Sequence, residues 1–308
     1  MSHAIAFLGL GLGLVLSGAA TAKDYDIKLH RPVVIGMRYR INLNLTRQDT
    51  SLAKVDGDSQ KPEEITSVIS LIGTVEVLDV SAKGYPVSEE YSVAKCTQTV
   101  NKKTVDLVKP GTPLVVRLTP QGMDIDMDGE PLPPEIRTIL GDLFVMTNGE
   151  ITEDDVYGTS KTRSVGDTWA LNAEGTDKFA KDSGFATEGL TGKSLLVGVQ
   201  KVGGTDCLEI SSTFNVPQVV PPENSVPPKF KVQKATFKST NWGLYPVDNR
   251  SLPPQEKTVT DSELTVVGSN GSQKIVSTTL GKQTRVIIRA PLAQPTATAR
   301  GTTKTTTK

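Results

Sequence analysis

The feature that most constrains this chain is an alternation of apolar and polar side chains with a period of two. It is clearest in Tyr39-Arg40-Ile41-Asn42-Leu43-Asn44-Leu45 and Val75-Glu76-Val77-Leu78-Asp79-Val80. It returns in Leu114 to Leu118, Met123 to Met127, Leu195 to Val199, Leu208 to Ile210, Ser262 to Val267 and Arg285 to Ile288. Successive side chains of a strand point to opposite faces, so the pattern describes strands with one face on a core and one in water. Between these runs stand Lys83-Gly84, Asp128-Gly129, Gly203-Gly204, Asp248-Asn249 and Asn270-Gly271. Such pairs readily adopt the positive φ angles of tight hairpins. The chain therefore reads as mainly β and antiparallel, with a minor helical part.

One segment breaks the pattern. After Pro133-Pro134, the residues Ile136, Ile139, Leu140, Leu143 and Met146 recur at helical spacing. Pro134 suits a first helical turn, Glu135 complements the positive end of a helix, and Asn148-Gly149 supplies a stop. An amphipathic helix over 134–147, packed on a sheet, is expected.

Landmarks of the first half recur in the second in the same order. Gly36-Met37-Arg38-Tyr39 is matched by Gly166-Asp167-Thr168-Trp169. Val80 to Tyr85 is matched by Val202 to Cys207, and Met127 to Pro134 by Val247 to Pro254. A duplication of this kind predicts two curved, half-barrel-like β units, 23–150 with the helix and 164–290, joined by an acidic linker at 151–163. Pro217, Pro221, Pro222, Pro227 and Pro228 make 215–229 an extended loop. The Thr-rich basic tail 291–308 has too little apolar surface to offset its ordering entropy and is expected to be disordered.

The first 22 residues contain an apolar run, Ile5 to Leu16, and end in Ala20-Thr21-Ala22, a small-x-small cleavage pattern. The run is well short of the roughly 20 residues of a spanning helix, so a cleaved signal and an exported chain starting at Lys23 are expected. The 34 basic residues balance 34 acidic ones and aromatics make up 5% of the chain. Neither a cationic surface nor a stacking platform is available, which argues against a nucleic-acid partner.

Several constellations were weighed for chemistry. Cys96 and Cys207 are the only thiols, too few for a zinc ribbon; they allow either one disulfide or two separate buried thiols. Beyond the signal the only histidine is His30, beside Arg31-Pro32, and it reads as a solvated loop residue. The residues Asp124, Asp126, Asp128, Glu130 and Glu135 satisfy the D-x-[DN]-x-[DN]-G-x5-E calcium pattern. A strand leads into that loop, however, and prolines crowd it, so a hairpin feeding the helix is the expected outcome. Trp169 is either a ligand-facing aromatic or a core anchor. The acids Asp154 and Asp155 read as a solvated face. No pattern calls for a cofactor or names a catalytic group, and a non-enzymatic protein is expected.

The opening Gly-x-x-Tyr strand, the Asp-Gly hairpin, the Leu-Pro helix and the Val-Gly-Asp-Thr-Trp strand at 165–169 together resemble secreted bacterial proteins rich in β-structure. More distantly, a curved sheet beside a helix looks like the half-barrel of periplasmic lipoprotein carriers and lipid-binding lipoproteins. The resemblance carries over no functional residue; the amphipathic helix beside β units and the lack of a catalytic group lead to the expectation of an exported protein binding an apolar small molecule or an envelope partner on a curved sheet, with Ile136, Ile139, Leu140, Leu143 and Trp169 as candidate ligand-facing residues. A structural or cell-surface interaction module is the alternative.

Overall fold

The computed structural model describes residues 23–182, 189–219 and 226–292. The signal segment and nearly all of the Thr-rich tail lie outside the described residues. The chain is mostly strand: β1 Arg38–Val55, β2 Asp58–Ser59, β3 Glu63–Val80, β4 Pro86–Val100, β5 Lys103–Val108, β6 Pro113–Thr119, β7 Gly122–Met127 and β8 Glu130–Pro131 fill the first half. After α1 (Pro134–Gly141) and α2 (Glu153–Tyr157) come β9 Thr168–Ala170, α3 (Ala173–Asp182), β10 Thr191–Val202, β11 Thr205–Val216, β12 Phe230–Pro246, β13 Gln255–Asn270 and β14 Gln273–Pro291.

All strands belong to one open antiparallel sheet in the order β8-β7-β6-β4-β3-β1-β14-β13-β12-β11-β10-β9, with β2 beside β1 and β5 beside β4. Both halves of the chain are thus hydrogen-bonded to each other through β1 and β14, which pair from Tyr39↔Pro291 to Val55↔Ile275. Most of the expected turns form where the sequence places them, but Asp248-Asn249 takes no positive φ and lies in the longer connection from Val247 to Pro254 between β12 and β13. Asp128 and Gly129 take positive φ in the β7–β8 hairpin, and so do Gly203 and Gly204 between β10 and β11. The long strands run well past the apolar alternation visible in sequence, because their outer halves alternate Thr and Ser with charged residues instead.

One face of the sheet, the inner face, carries two cores. The first gathers Tyr39, Ile41, Leu43 and Leu45 of β1 with Leu71, Val75 and Val77 of β3, Tyr91 and Val93 of β4, and Leu114, Val116 and Ile125 from the β6–β7 hairpin. Leu140, Leu143 and Phe144 close it from above. The second holds Trp169, Leu196, Leu208 and Ile210, closed by Ile27 and Leu29 of the N-terminal segment. Phe179 of α3 meets Phe214 of β11 edge-on, with ring centroids 5.5 Å apart.

The helical segment is shorter than 134–147. Regular helix ends at Gly141, and a tight turn, with the Leu143 and Phe144 amides both donating to the Leu140 carbonyl, places Leu143 and Phe144 in the core. The acidic run stays largely solvated, with Glu153 and Asp155 exposed and Asp154 half-buried, but it is built into a helix. Thr152 and Asp155 form a reciprocal capping box that starts α2. Cys96 and Cys207 are both buried free thiols. Five strands separate β4 from β11 in the sheet, at about 4.8 Å per strand, far beyond disulfide reach.

Candidate functional site

Two polar assemblies stand out in an otherwise apolar interior. The first is a clamp on the N-terminal segment. Leu29 donates its amide to Asp154 Oδ1 at 2.7 Å, Val33 donates to the Gly84 carbonyl, and Tyr25 forms an isolated bridge with Arg163. His30 is no solvated loop residue: its ring stacks on Tyr85 at 4.3 Å, its Nε2 lies 2.7 Å from the Lys83 carbonyl, and its Nδ1 lies 3.6 Å from Glu153. The Tyr85 hydroxyl also donates to Glu153. Gly149 packs so closely on the Tyr85 ring that a Cβ there would collide with it. Arg31 reaches under the second half of the sheet, donating to the Pro246 carbonyl at 2.9 Å and lying over the Tyr245 ring.

The electrostatics suit a clamp. The nearby Glu153 carboxylate raises the His30 pKa above its usual value despite the opposing effect of burial. Burial alone would raise the Glu153 carboxyl, but the nearby His30 and the hydrogen bond from Tyr85 win and lower it. Burial and the neighbouring Glu153 both push the Tyr85 phenol up, so it stays a neutral donor.

The second assembly crosses the inner face where the two halves meet. Glu89 of β4 is buried and accepts from two phenols, Tyr39 at 2.8 Å and Tyr91 at 2.6 Å. Burial first, and Glu89 second, hold both tyrosines well above their ordinary pKa. Arg289 of β14 pairs with Glu256 of β13 and donates to the Pro253 carbonyl. Further along the row Thr258 donates to Asn241, which donates to the Tyr157 hydroxyl. Arg285 lies on the same face, cross-strand from Leu45 and Thr258. Its Nε is buried without a partner.

Beyond Arg285 the inner face changes character. On β14 it presents Gln283, Gly281, Thr279, Ser277 and Ile275; on β13, Thr260, Ser262, Leu264, Val266 and Gly268; on β12, Ser239, Phe237, Ala235, Val232 and Phe230. None of these carries a charge. Ser239 and Ala235 are buried and the rest stay partly or fully exposed. Neither core extends there. The outer face of the same strands is different, carrying Lys282, Asp261, Glu263, Lys238 and Lys234.

The residues singled out in sequence fall elsewhere. Leu140 and Leu143 are fully buried, Ile136 and Ile139 pack partly buried against the first core, and Trp169 sits in the second core with its Nε1 donating to the Tyr157 carbonyl. Asp124 and Asp126 lie along β7 and engage Arg137 and Arg117, while Asp128 and Glu130 occupy the exposed hairpin and Glu135 the start of α1. Among the described residues no three His, Cys, Asp or Glu side chains converge as a metal site. Glu89, Arg285, Arg289 and Glu256 escaped notice in sequence. The available signal was charged residues at inward positions of alternating strands, Arg285 and Arg289 flanking Ile287.

No protein-family model matches the chain, and no curated protein does. Solved structures similar in part include lipovitellin, described for its lipid–protein interactions, at TM-score 0.32 and 11% identity over 85% of this chain; the match spans 26% of the lipovitellin chain. The outer membrane protein OprG of Pseudomonas aeruginosa aligns at TM-score 0.19 and 10% identity, over 87% of this chain and all of its own (100%). A loop-deletion mutant of OmpT, an outer membrane protein of Vibrio cholerae, aligns at 0.19 and 11%, over 80% and 99%. Among the described residues no helix is long and apolar enough to cross a membrane.

Proposed function

We propose that the chain is an exported, non-enzymatic binding protein that holds an apolar small molecule on the open part of its inner sheet face. The observation that carries this reading is the charge-free inner surface of β12, β13 and β14 described above, to which neither core extends among the described residues. A solvated sheet face is ordinarily kept polar by charged residues, as the outer face of these strands is, while this one is built from small and apolar side chains. The three strands make a track about 10 Å wide, and the eleven residues from Arg285 to Ile275 give it a length of roughly 30 Å. The polar groups bordering the cores are engaged in holding the fold together, Glu153 in the clamp and Glu89 with two phenols. That favours binding over turnover.

Titration with N-phenyl-1-naphthylamine, a neutral apolar probe that brightens when shielded from water, tests this. The wild type should bind it, and Val266→Lys, which puts a charge on the central strand of the track, should weaken binding by about tenfold or more without lowering the thermal midpoint. Absence of binding to the wild type, or unchanged binding to Val266→Lys, would overturn the reading.

A further inference from the structure

Three arginines, the buried Arg31 and the half-buried Arg163 and Arg285, have a buried Nε without a hydrogen-bond partner. Two of them are otherwise occupied. Arg31 donates to the Pro246 carbonyl and covers Tyr245; Arg163 donates to Thr159 and covers Trp169. The Arg285 side chain makes no hydrogen bond or ion pair among the described residues, and its neighbours explain why. Glu256 is taken by Arg289, and the Glu89 carboxylate is taken by Tyr39 and Tyr91. Burial lowers the Arg285 pKa, with Tyr91, Glu256 and Glu89 opposing that effect from a distance.

A guanidinium whose Nε is sealed from water is ordinarily held by an anion or by carbonyl oxygens, since desolvating a charge without compensation is costly. The position of this one is informative. Its β14 neighbour on the core side, Ile287, is buried, and on the other side Gln283 begins the charge-free track. Arg285 therefore marks the closed end of that track, the single cation on its β12–β14 lining among the described residues.

We infer that Arg285 anchors the anionic head, a carboxylate, of an amphiphile whose aliphatic tail lies along the open inner face of β12–β14. This rests on the binding role proposed above and adds to it the class of ligand. A guanidinium presents paired donors to a carboxylate, and the charge-free lining suits an aliphatic chain. An extended acyl chain of about 20 Å fits within the roughly 30 Å from Arg285 to the β13–β14 hairpin.

The test uses 12-(9-anthroyloxy)stearate, its methyl ester and N-phenyl-1-naphthylamine, each titrated against the full chain. The acid should bind the wild type at least about tenfold more tightly than the ester, the difference expected for one charge-assisted hydrogen-bonded pair. Arg285→Gln should abolish that preference while leaving the ester and the naphthylamine unchanged. Gln283→Glu, which sets a competing carboxylate beside an intact Arg285, should do the same. Equal binding of acid and ester by the wild type, a preference that survives both substitutions, or an equal loss for all three probes in Arg285→Gln would overturn the inference. Naphthylamine binding without a preference for the acid would sink the head-group assignment alone. Failure of all three probes to bind the wild type would remove both the assignment and the binding role beneath it.

Discussion

Strand β1 carries two different surfaces on one face. At its first end Tyr39, Ile41, Leu43 and Leu45 are all buried; at its far end Arg47, Asp49, Ser51, Ala53 and Val55 on the same face are not. The hydrogen-bonded ladder is continuous across both ends, pairing with β3 on one side and β14 on the other. What differs is the cover. Among the described residues the N-terminal segment and the three helices lie over one end of the inner face, and neither core reaches the other end. Regular pairing alone does not decide which part of a sheet becomes core; apolar side chains become core where a second layer can exclude water.

The sharpest way to break this contrast is to place the same charge at both ends. Leu140→Asp buries a carboxylate under α1, where Leu140 has no exposed surface, and should cost about 4 kcal/mol, at the upper end of single-substitution effects. Leu264→Asp lies on the uncovered part of β13 and should cost less than about 1 kcal/mol, because its carboxylate keeps its water. Thermal or denaturant melts of the two variants decide the matter. Similar losses would mean that the far end is sealed after all.

A smaller effect should come from the clamp that fastens the cover to the sheet. The raised pKa of His30 means its contribution is complete below its ordinary value of 6.5 and fades as pH rises through the higher folded value. The lowered pKa of Glu153 means its contribution is complete above 4.5 and fades as pH falls through the lower folded value. The His30–Glu153 contact should therefore stabilise the fold most between about pH 4.5 and 6.5, and denaturation midpoints should fall from pH 6 to pH 8. Glu153→Gln should flatten that fall. A slope that persists unchanged in the variant would show that other groups produce it.

The smallest effect concerns the thiols. Burial pushes Cys96 up to about 11 and raises Cys207 as well, so both should react slowly with alkylating reagents in the folded protein and quickly in denaturant. Adding a reductant should leave the melting temperature unchanged within about 1 °C, since no crosslink joins the two halves. A clear drop on reduction would place the cysteines together and contradict the strand order.

Much of the architecture was legible in sequence because strand alternation and hairpin turns are local signals. Leu43 between Asn42 and Asn44, or Asp128-Gly129 after Met127, declares its conformation within a few residues. The amphipathic start of α1 was equally local, with Pro134 at its first position and Leu140 facing inward. The short helix α2 was not, since its acidic residues look solvated until Leu29 and His30 arrive from a segment more than a hundred residues earlier to meet Asp154 and Glu153. Arg285 and Glu256 were illegible for the same reason. In sequence each is one charge in an alternating strand, and the pairing of β1 with β14 and β14 with β13 is what sets them beside Glu89, Tyr91 and Arg289.

By itself, then, the sequence determined that this protein would be an antiparallel β structure with its hairpins at particular Gly and Asn positions, because backbone conformation follows from nearest neighbours. The tertiary structure alone decided that both halves would merge into one sheet, that the cores would stop partway along it, and that the Arg285 guanidinium would stand at the boundary with no counterion among the described residues. Those outcomes depend on contacts between residues far apart in the chain, and their energies come from excluding water at places that no local pattern specifies.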